Sequence, residues 1–419
     1  MAGIASLSKA RARVREHCQK ENSALEANSA IDLAVSFDGS WHKRGFTSNY
    51  GVGSIIHIDT GLVIDYCVLS KFCRNCASAE HDLGRGSPEF DIWYAGHAID
   101  CDKNYEGSSP GMEVAAAEIL WKRSLSYKFR YTTLVSDGDS KVFTHLKDLN
   151  IYGEDVLKKE ECINHVSKRL GTALRNQVKV CKAQKITLGG KSHGSLKDST
   201  IKKLTRYYHN AVFSSINKDA PTVRNSILAT LHHCTSTDEK PSHTKCPTDT
   251  NSWCFYNRAI ANNEIPGSHS DNIKTPLNPT VLKHIAPIYK RLTETSLLER
   301  CLKGQTQNAN ESLHSFIWRK CDKARSVSRR IVEAAVAEGV SEFNFGNASA
   351  INILQKNKIS PGKKSIMIAR VRDRRRKLKI HQAKSERVKR RRNYLRMKNL
   401  QEEEKRKELE GIMYGAGEF

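Results

Sequence analysis

The sequence has no long apolar run. Nowhere does it approach the roughly 18 consecutive apolar residues of a membrane-spanning helix, and it opens on the polar segment MAGIASLSKARARVREH rather than on a hydrophobic signal. These absences predict an intracellular protein without a membrane segment. The chain holds 12 cysteines. In a reducing compartment, clustered cysteines serve better as metal ligands than as disulfides.

Acidic residues are also scarce, with 45 Asp and Glu against 69 Lys and Arg and a formal net charge of +24. The segment from Lys363 to Lys407 alone holds 20 basic and 5 acidic residues. We expect DNA as the polyanionic partner and the nucleus as the location. Because Tyr394 is the only aromatic residue there, phosphate contact is favoured over base stacking. A solvated charged helix or a nuclear import signal remains an alternative. The candidate phosphate contacts in this segment are Arg374, Arg375, Arg376, Lys389, Arg390, Arg391 and Arg392.

The first half of the chain predicts a strand, a hairpin, a helix and another strand. The strand-like run LAVSF leads into Asp38-Gly39, VGSIIHI and LVIDYCVLS flank Asp59-Thr60-Gly61, and RYTTLVS leads into Asp137-Gly138. The apolar spacing of GMEVAAAEILWKRSLSYK between the hairpin and the last strand is helical. This order predicts an α/β protein with an RNase H-like mixed sheet flanked by helices.

An Asp-Gly pair after a strand is ordinarily a turn. In an RNase H-like sheet, however, the ends of the first and fourth strands are neighbours, so Asp38 and Asp137 are candidates to share a metal ion. Asp139 competes with Asp137, which is nearer to the end of its strand. A third carboxylate would complete a site for two Mg²⁺ or Mn²⁺ ions, which prefer oxygen ligands. Our candidate is Glu311 in NANESLHSFIW, which spacing alone cannot select.

Two cysteine and histidine clusters have the spacing of zinc sites. Cys73-x2-Cys76 and His97-x3-Cys101 form a four-ligand pattern that would fasten a loop at 72–110. The second cluster holds His232, His233, Cys234, His243, Cys246 and Cys254, and a surface loop is its alternative. Here we favour His233 with His243, Cys246 and Cys254, although spacing does not choose among the earlier residues.

Four motifs in order, VSFDGSWHKRGF, SDGDSK, ECINHVSKRLG and QNANESLHSFIW, resemble those of Mutator-like DDE transposases, over roughly residues 31–380. The resemblance implies an RNase H-like core with Asp38, Asp137 and Glu311 as catalytic metal ligands. It also implies a role at the active site for Cys162 and His165. It further implies metal-dependent DNA cleavage with strand transfer, and a homo-oligomer. A buried cysteine and a hydrogen-bonded histidine are the alternative at 162 and 165. Further phosphate contacts are expected from Lys168, Arg169 and Arg175 in SKRLGTALRNQVK.

From these patterns we expect five segments. They are a helical lead-in (1–30), the core (31–180), a mainly helical insertion with the second cluster (181–305), the Glu311 helix with the closing helices (306–360), and a basic tail (361–419). Only about thirty residues precede the first catalytic strand, without a recognisable DNA-binding motif. A truncated or domesticated copy, acting as a catalytically inactive, zinc-stabilised DNA-binding protein, is therefore the alternative function.

Overall fold

The computed structural model describes residues 2–26, 29–43, 47–137, 141–190, 192–323 and 326–410. The chain divides into two compact units, Met1–Cys162 with Gln305–Asp373, and Ile163–Gly304 with Arg374–Phe419. The boundary after Cys162 differs from the expected one at 180, because the long helix that follows packs with the helices of the second unit. None of the helices in the described ranges is long and apolar enough to cross a membrane.

The strands and helices are as follows. The strands are β1 (Ile31–Trp41), β2 (Tyr50–His57), β3 (Val63–Ser70), β4 (Phe129–Ser136) and β5 (Lys158–Glu161). The helices are α1 (Ala2–Glu21), α2 (Arg74–Leu83), α3 (Pro88–His97), α4 (Gly111–Ser124), α5 (Lys141–Leu149), α6 (Ile163–Ala183), α7 (Asp198–Phe213), α8 (Ala220–His233), α9 (Phe255–Ala261), α10 (His269–Asn272), α11 (Pro279–Leu292), α12 (Thr295–Glu299), α13 (Asn308–Lys320), α14 (Arg329–Phe345), α15 (Ala348–Lys356), α16 (Lys363–Lys384) and α17 (Glu386–Glu410).

The first unit is an α/β structure built on one mixed sheet of five strands in the order β3-β2-β1-β4-β5. β1 pairs antiparallel with β2 and parallel with β4, and β5 pairs parallel with β4. Apolar side chains of β1, β4 and α4 form a buried core on one side, centred on Phe37, Trp121 and Tyr131. A second core joins β2 and β3 to α13 and α14.

The strand β1 is longer than the sequence predicts. We expected it to end at Asp38, but it continues to Trp41, with Asp38 opposite Ser54 and Gly39 opposite Gly53 on β2. The Asp38-Gly39 pair is therefore not a turn. Glycine is needed at 39 and 53 because residues of α4 lie close to the strand backbone at both positions. A Cβ added at 39 would lie 2.9 Å from the Cγ of Glu113, and one added at 53 would lie 2.7 Å from the Cβ of Ala116. The helix α4 consequently packs directly on the backbone of β1 and β2.

Two further segments differ from expectation. The segment 72–110, expected as a loop, contains α2 and α3, and α3 begins at Pro88 with Ser87 capping it by accepting the backbone N–H of Phe90 at 3.0 Å. The strand β5 has the sequence KKEE. Apolar alternation is absent from it, and only its backbone pairing with β4 makes it a strand.

The second unit is helical. Apolar residues of α6, α7, α8 and α11 form its core, with Leu204, Tyr208 and Ile285 fully buried. Residues 234–254 form an irregular segment between α8 and α9. The chain from Arg374 onward continues α16 and forms α17, where basic side chains are mostly exposed.

Candidate active site and metal centres

The two candidate aspartates belong to adjacent parallel strands, with Asp38 within β1 and Asp137 directly after β4. In the register of β1 and β4, Val35 is opposite Leu134 and Ser36 is opposite Val135. Continuing this register by two residues places Asp38 opposite Asp137, the residue that follows β4. Neighbouring strands are about 4.8 Å apart, so the two carboxylates belong to one end of the sheet. Asp139 lies outside the described residues.

The helix α13, which carries Glu311, is tied to β1 by buried amides. The Asn310 side chain is fully buried, with its Oδ1 accepting the hydroxyl of Ser36 at 2.6 Å. Gln307 Nε2 donates to the carbonyl of Phe37 at 2.8 Å. These bonds fix the first turn of α13 beside the residues that precede Asp38. Glu311, an exposed residue, is in that same turn.

One turn after Glu311, His314 contacts the site. Its Nδ1 lies 3.6 Å from Oδ2 of Asp38, and its side chain is 12% exposed. Burial lowers the pKa of His314 to about 4, with a further contribution from Lys323, so that the ring is neutral at pH 7 despite the neighbouring carboxylate. Sequence reasoning missed this residue, although its position three residues after Glu311 placed both on one helix face.

Glu113 is a second residue that sequence reasoning missed. Burial raises the pKa of its carboxyl group; a hydrogen bond from the backbone N–H of Gly39 opposes this rise, and the charge of Asp137 adds to it. The Glu113 side chain therefore lies against the backbone of β1 at Gly39. The sequence signal was weak, since Glu113 is one of several acids on predicted helices, and Gly39 was read as part of a turn.

The Cys162-x-x-His165 pair spans the boundary between the units. Cys162 is fully buried, its N–H donates to the carbonyl of Ser136 at 3.3 Å, and its Sγ accepts the backbone N–H of Gln307 at 3.4 Å. This thiol therefore links the end of β4 to the start of α13. His165 is the third residue of α6 and is partly buried.

The structure brings the first cysteine and histidine cluster together. One ligand atom from each of Cys73, Cys76, His97 and Cys101 lies within 4.8 Å of the others. The Sγ of Cys73 is 3.3 Å from Nε2 of His97, and the sulfurs of Cys76 and Cys101 are 3.5 Å apart. A tetrahedral zinc ion with Zn–S bonds of about 2.3 Å needs ligand separations of about 3.8 Å. The cluster is therefore close to the size of a zinc site.

The thiols of this first cluster differ in acidity. Burial favours a high pKa at Cys73, but backbone N–H groups of Cys76 and Asp102 and the His97 side chain lower it to about 6. Burial and a hydrogen bond with Cys101 raise the pKa of Cys76 to about 12. The Cys76 thiol therefore keeps its proton at neutral pH unless a bound cation displaces it.

The second cluster gathers His233, His243, Cys246 and Cys254 within the same 4.8 Å limit. His232 is outside this group, and Cys234 is buried in the helical core of its unit. Two residues that the sequence analysis did not identify, His269 and Asp238, form a hydrogen-bonded chain with His243. Its Nε2 lies 2.9 Å from Nε2 of His269, whose Nδ1 is 2.6 Å from Oδ1 of Asp238. Such a chain orients a ligand histidine with its Nδ1 towards the metal position.

The expected phosphate contacts are on helices. Arg175 on α6 is half-exposed and pairs with Asp198, with Nε 3.0 Å from Oδ1. Lys168 is exposed and Arg169 partly buried on the same helix. On α16 and α17 the candidate basic residues are exposed, except Arg376, which is partly buried. The exposed basic residues of α6, α16 and α17 therefore offer positive charge to a polyanion.

Comparison with known proteins identifies the class. The sequence model of one family, described as Mutator-like transposase, matches residues 4–254, which is more than half of the chain. The protein belongs to the Mutator-like transposase family. The match includes both candidate aspartates and both cysteine and histidine clusters, whereas Glu311 lies beyond it. Searches of the curated proteins and of the solved structures gave no significant match.

Proposed function

We propose that this protein is a DDE transposase that cleaves DNA and transfers the strand with the help of Mg²⁺ or Mn²⁺. Asp38, Asp137 and Glu311 are the proposed ligands of two ions on an RNase H-like core. The observation that carries the proposal is the β1–β4 ladder, which runs to Ser36 and Val135 and which, continued by two residues, would bring Asp38 opposite Asp137. The strand order and the hydrogen bonds that hold the first turn of α13 against β1 support it.

The donor set fits the proposed ions, because carboxylate oxygens are the ligands that Mg²⁺ and Mn²⁺ prefer. Two such ions stabilise the attacking and leaving oxygens of a phosphoryl displacement. The strands hold Asp38 and Asp137 in place, so little reorganisation is needed on binding. Asn310 and Gln307 position the helix of Glu311, and the Cys162 thiol assists by accepting the N–H of Gln307. His165, from the Cys-x-x-His motif, is the proposed contact to DNA.

The remaining parts serve DNA binding and structure. We propose that DNA lies against basic side chains of α6, α16 and α17, that the protein acts in the nucleus, and that it works as a homo-oligomer. Zn²⁺ in the two clusters would be structural. In the first unit it would hold the start of α2 to the end of α3 and to Cys101, and in the second it would order residues 233–254.

The test is cleavage and strand transfer of oligonucleotide and supercoiled DNA with Mn²⁺ or Mg²⁺. Wild type, Asp137→Asn and the matched control Asp148→Asn, which alters an exposed residue of α5, are compared. We expect cleavage that requires the cation, is lost in Asp137→Asn and is kept in Asp148→Asn.

Three outcomes would contradict this proposal. DNA binding without cleavage by the wild type would instead support a domesticated DNA-binding protein. Cleavage that persists in Asp137→Asn would place the active site elsewhere. Nicked products without joined strands would indicate a nuclease that lacks the transfer step.

A further inference from the structure

The end of α1 lies beside the turn between β2 and β3, where three potential metal ligands meet. His17 and Glu21 are four residues apart on α1, so they share one face of the helix. Asp59 belongs to the turn that follows β2. One ligand atom from each of these three residues lies within 4.8 Å of the others. All three are in the first unit.

One ring nitrogen of His17 is shielded from water beside this group. Its Nε2 is buried and has no hydrogen-bond partner among the residues that the structure describes. Oε1 of Glu21 lies 3.4 Å from this nitrogen but does not form a hydrogen bond with it. A Zn²⁺ ion with bonds of about 2.1 Å to nitrogen and oxygen would separate two tetrahedral ligands by about 3.4 Å. The spacing of the two side chains therefore fits a shared ion, which would also give the buried nitrogen a partner.

A buried histidine holds Asp59 in position. The side chain of His57 is 2% exposed, and its Nε2 lies 3.5 Å from Oδ2 of Asp59. Its Nδ1 accepts the backbone N–H of Thr60 at 3.4 Å and is 3.0 Å from the Thr60 hydroxyl. Because Nδ1 is the acceptor, the proton of the neutral ring is on Nε2, which faces Asp59. Such a contact from behind a carboxylate is typical of the groups that orient metal ligands.

We propose that His17, Glu21 and Asp59 bind a Zn²⁺ ion that fastens the end of α1 to the turn between β2 and β3. One imidazole nitrogen and two carboxylate oxygens are donors that Zn²⁺ accepts, and three protein ligands leave a position for water. Glu21 and Asp59 are exposed, so an ion can reach the site from solvent. The site shares no residue with the two cysteine and histidine clusters or with the proposed catalytic carboxylates, so it does not depend on the proposed function.

The experiment counts zinc by elemental analysis after dialysis of the full chain against micromolar free Zn²⁺. Glu21→Gln and Asp59→Asn keep the size of each side chain but remove the charge of one ligand. We expect each variant to hold one zinc ion fewer per chain than the wild type. Glu16→Gln is the matched control, because Glu16 is exposed on the same helix and pairs with Lys20 at 2.8 Å. It should keep the zinc count of the wild type.

A second measurement separates a bound ion from an ordinary ion pair. Added Zn²⁺ should raise the melting temperature of the wild type and of Glu16→Gln more than that of Glu21→Gln, because an ion that binds only the folded chain stabilises it. Equal zinc counts in the wild type, Glu21→Gln and Asp59→Asn would overturn the proposal and leave His17 and Glu21 as a helical ion pair. A difference that appears only at millimolar Zn²⁺ would mean adventitious surface binding and would also overturn it.

Discussion

Asn310→Ala tests whether the helix of Glu311 depends on buried amide contacts. The Asn310 side chain is fully buried and is within bonding distance of polar groups of two serines, at 2.6 Å to the Ser36 hydroxyl and 3.4 Å to the Ser54 hydroxyl and carbonyl. Both serines are themselves buried. A buried polar group left unsatisfied costs about 1–3 kcal/mol. Asn310→Ala leaves polar groups of Ser36 and Ser54 without this partner, while their hydroxyls stay free to rotate. We therefore expect a loss of about 2–4 kcal/mol in the free energy of unfolding.

The assay is urea unfolding followed by tryptophan fluorescence, since four of the five tryptophans are in the first unit. Asn352→Ala, at an exposed position of α15 in the same unit, is the matched control and should change stability by less than about 0.5 kcal/mol. The double variant with Ser36→Ala should show a coupling of about 1–2 kcal/mol. Strictly additive losses would refute the reasoning, because they would mean that the bond between Ser36 and Asn310 contributes nothing.

Three further predictions concern other parts of the first unit. Cys76→Ser should bind one zinc ion fewer than the wild type by elemental analysis and melt at a lower temperature, whereas Cys67→Ser, outside both clusters, should bind the same amount of zinc. Arg123→Met should lose about 2–3 kcal/mol in urea unfolding, because it leaves the buried Asp65 carboxylate without its two-bond partner, and adding Asp65→Asn should restore much of this loss. Arg123 is 37% exposed, which keeps the cost below that of a fully buried pair. The contribution of His314 to the free energy of unfolding should fall by about 3 kcal/mol as the pH drops from 6.5 to 4, because His314 binds a proton near pH 6.5 in the unfolded chain but only near pH 4 in the folded protein. A His314→Gln variant that keeps the same pH dependence would contradict this assignment.

The sequence predicted those elements whose signal is local. The hairpin, the helix α4, the strand β4 and the helix α13 each carry apolar periodicity or turn residues within their own length. It missed β5 because KKEE becomes a strand only through pairing with β4. It missed α3, although Ser87 and Pro88 form a recognisable helix start. The information for this helix is therefore present in the sequence.

The candidate site shows a different limit. Asp38 and Asp137 could be paired from sequence because both follow β-rich runs in an order that makes their strands neighbours. Spacing could not select Glu311, and Glu113 could not be found, because the contact between Glu113 and Gly39 joins residues that are far apart in the chain. His269 and Asp238 behind the second cluster were missed for the same reason.

The Asp38-Gly39 pair shows how a local signal and a tertiary requirement can share one residue type. Glycine is common in turns because it tolerates a positive φ, but Gly39 is within a strand and is not among the residues with positive φ. Its role is the absence of a side chain, which lets Glu113 cross the strand next to Asp38. Gly53, directly opposite on β2, does the same for Ala116 and brings α4 onto the sheet. The informative pattern was therefore the pair of glycines opposite each other on β1 and β2. An Asp-Gly turn requires neither a glycine on a neighbouring strand nor a helix packed on it.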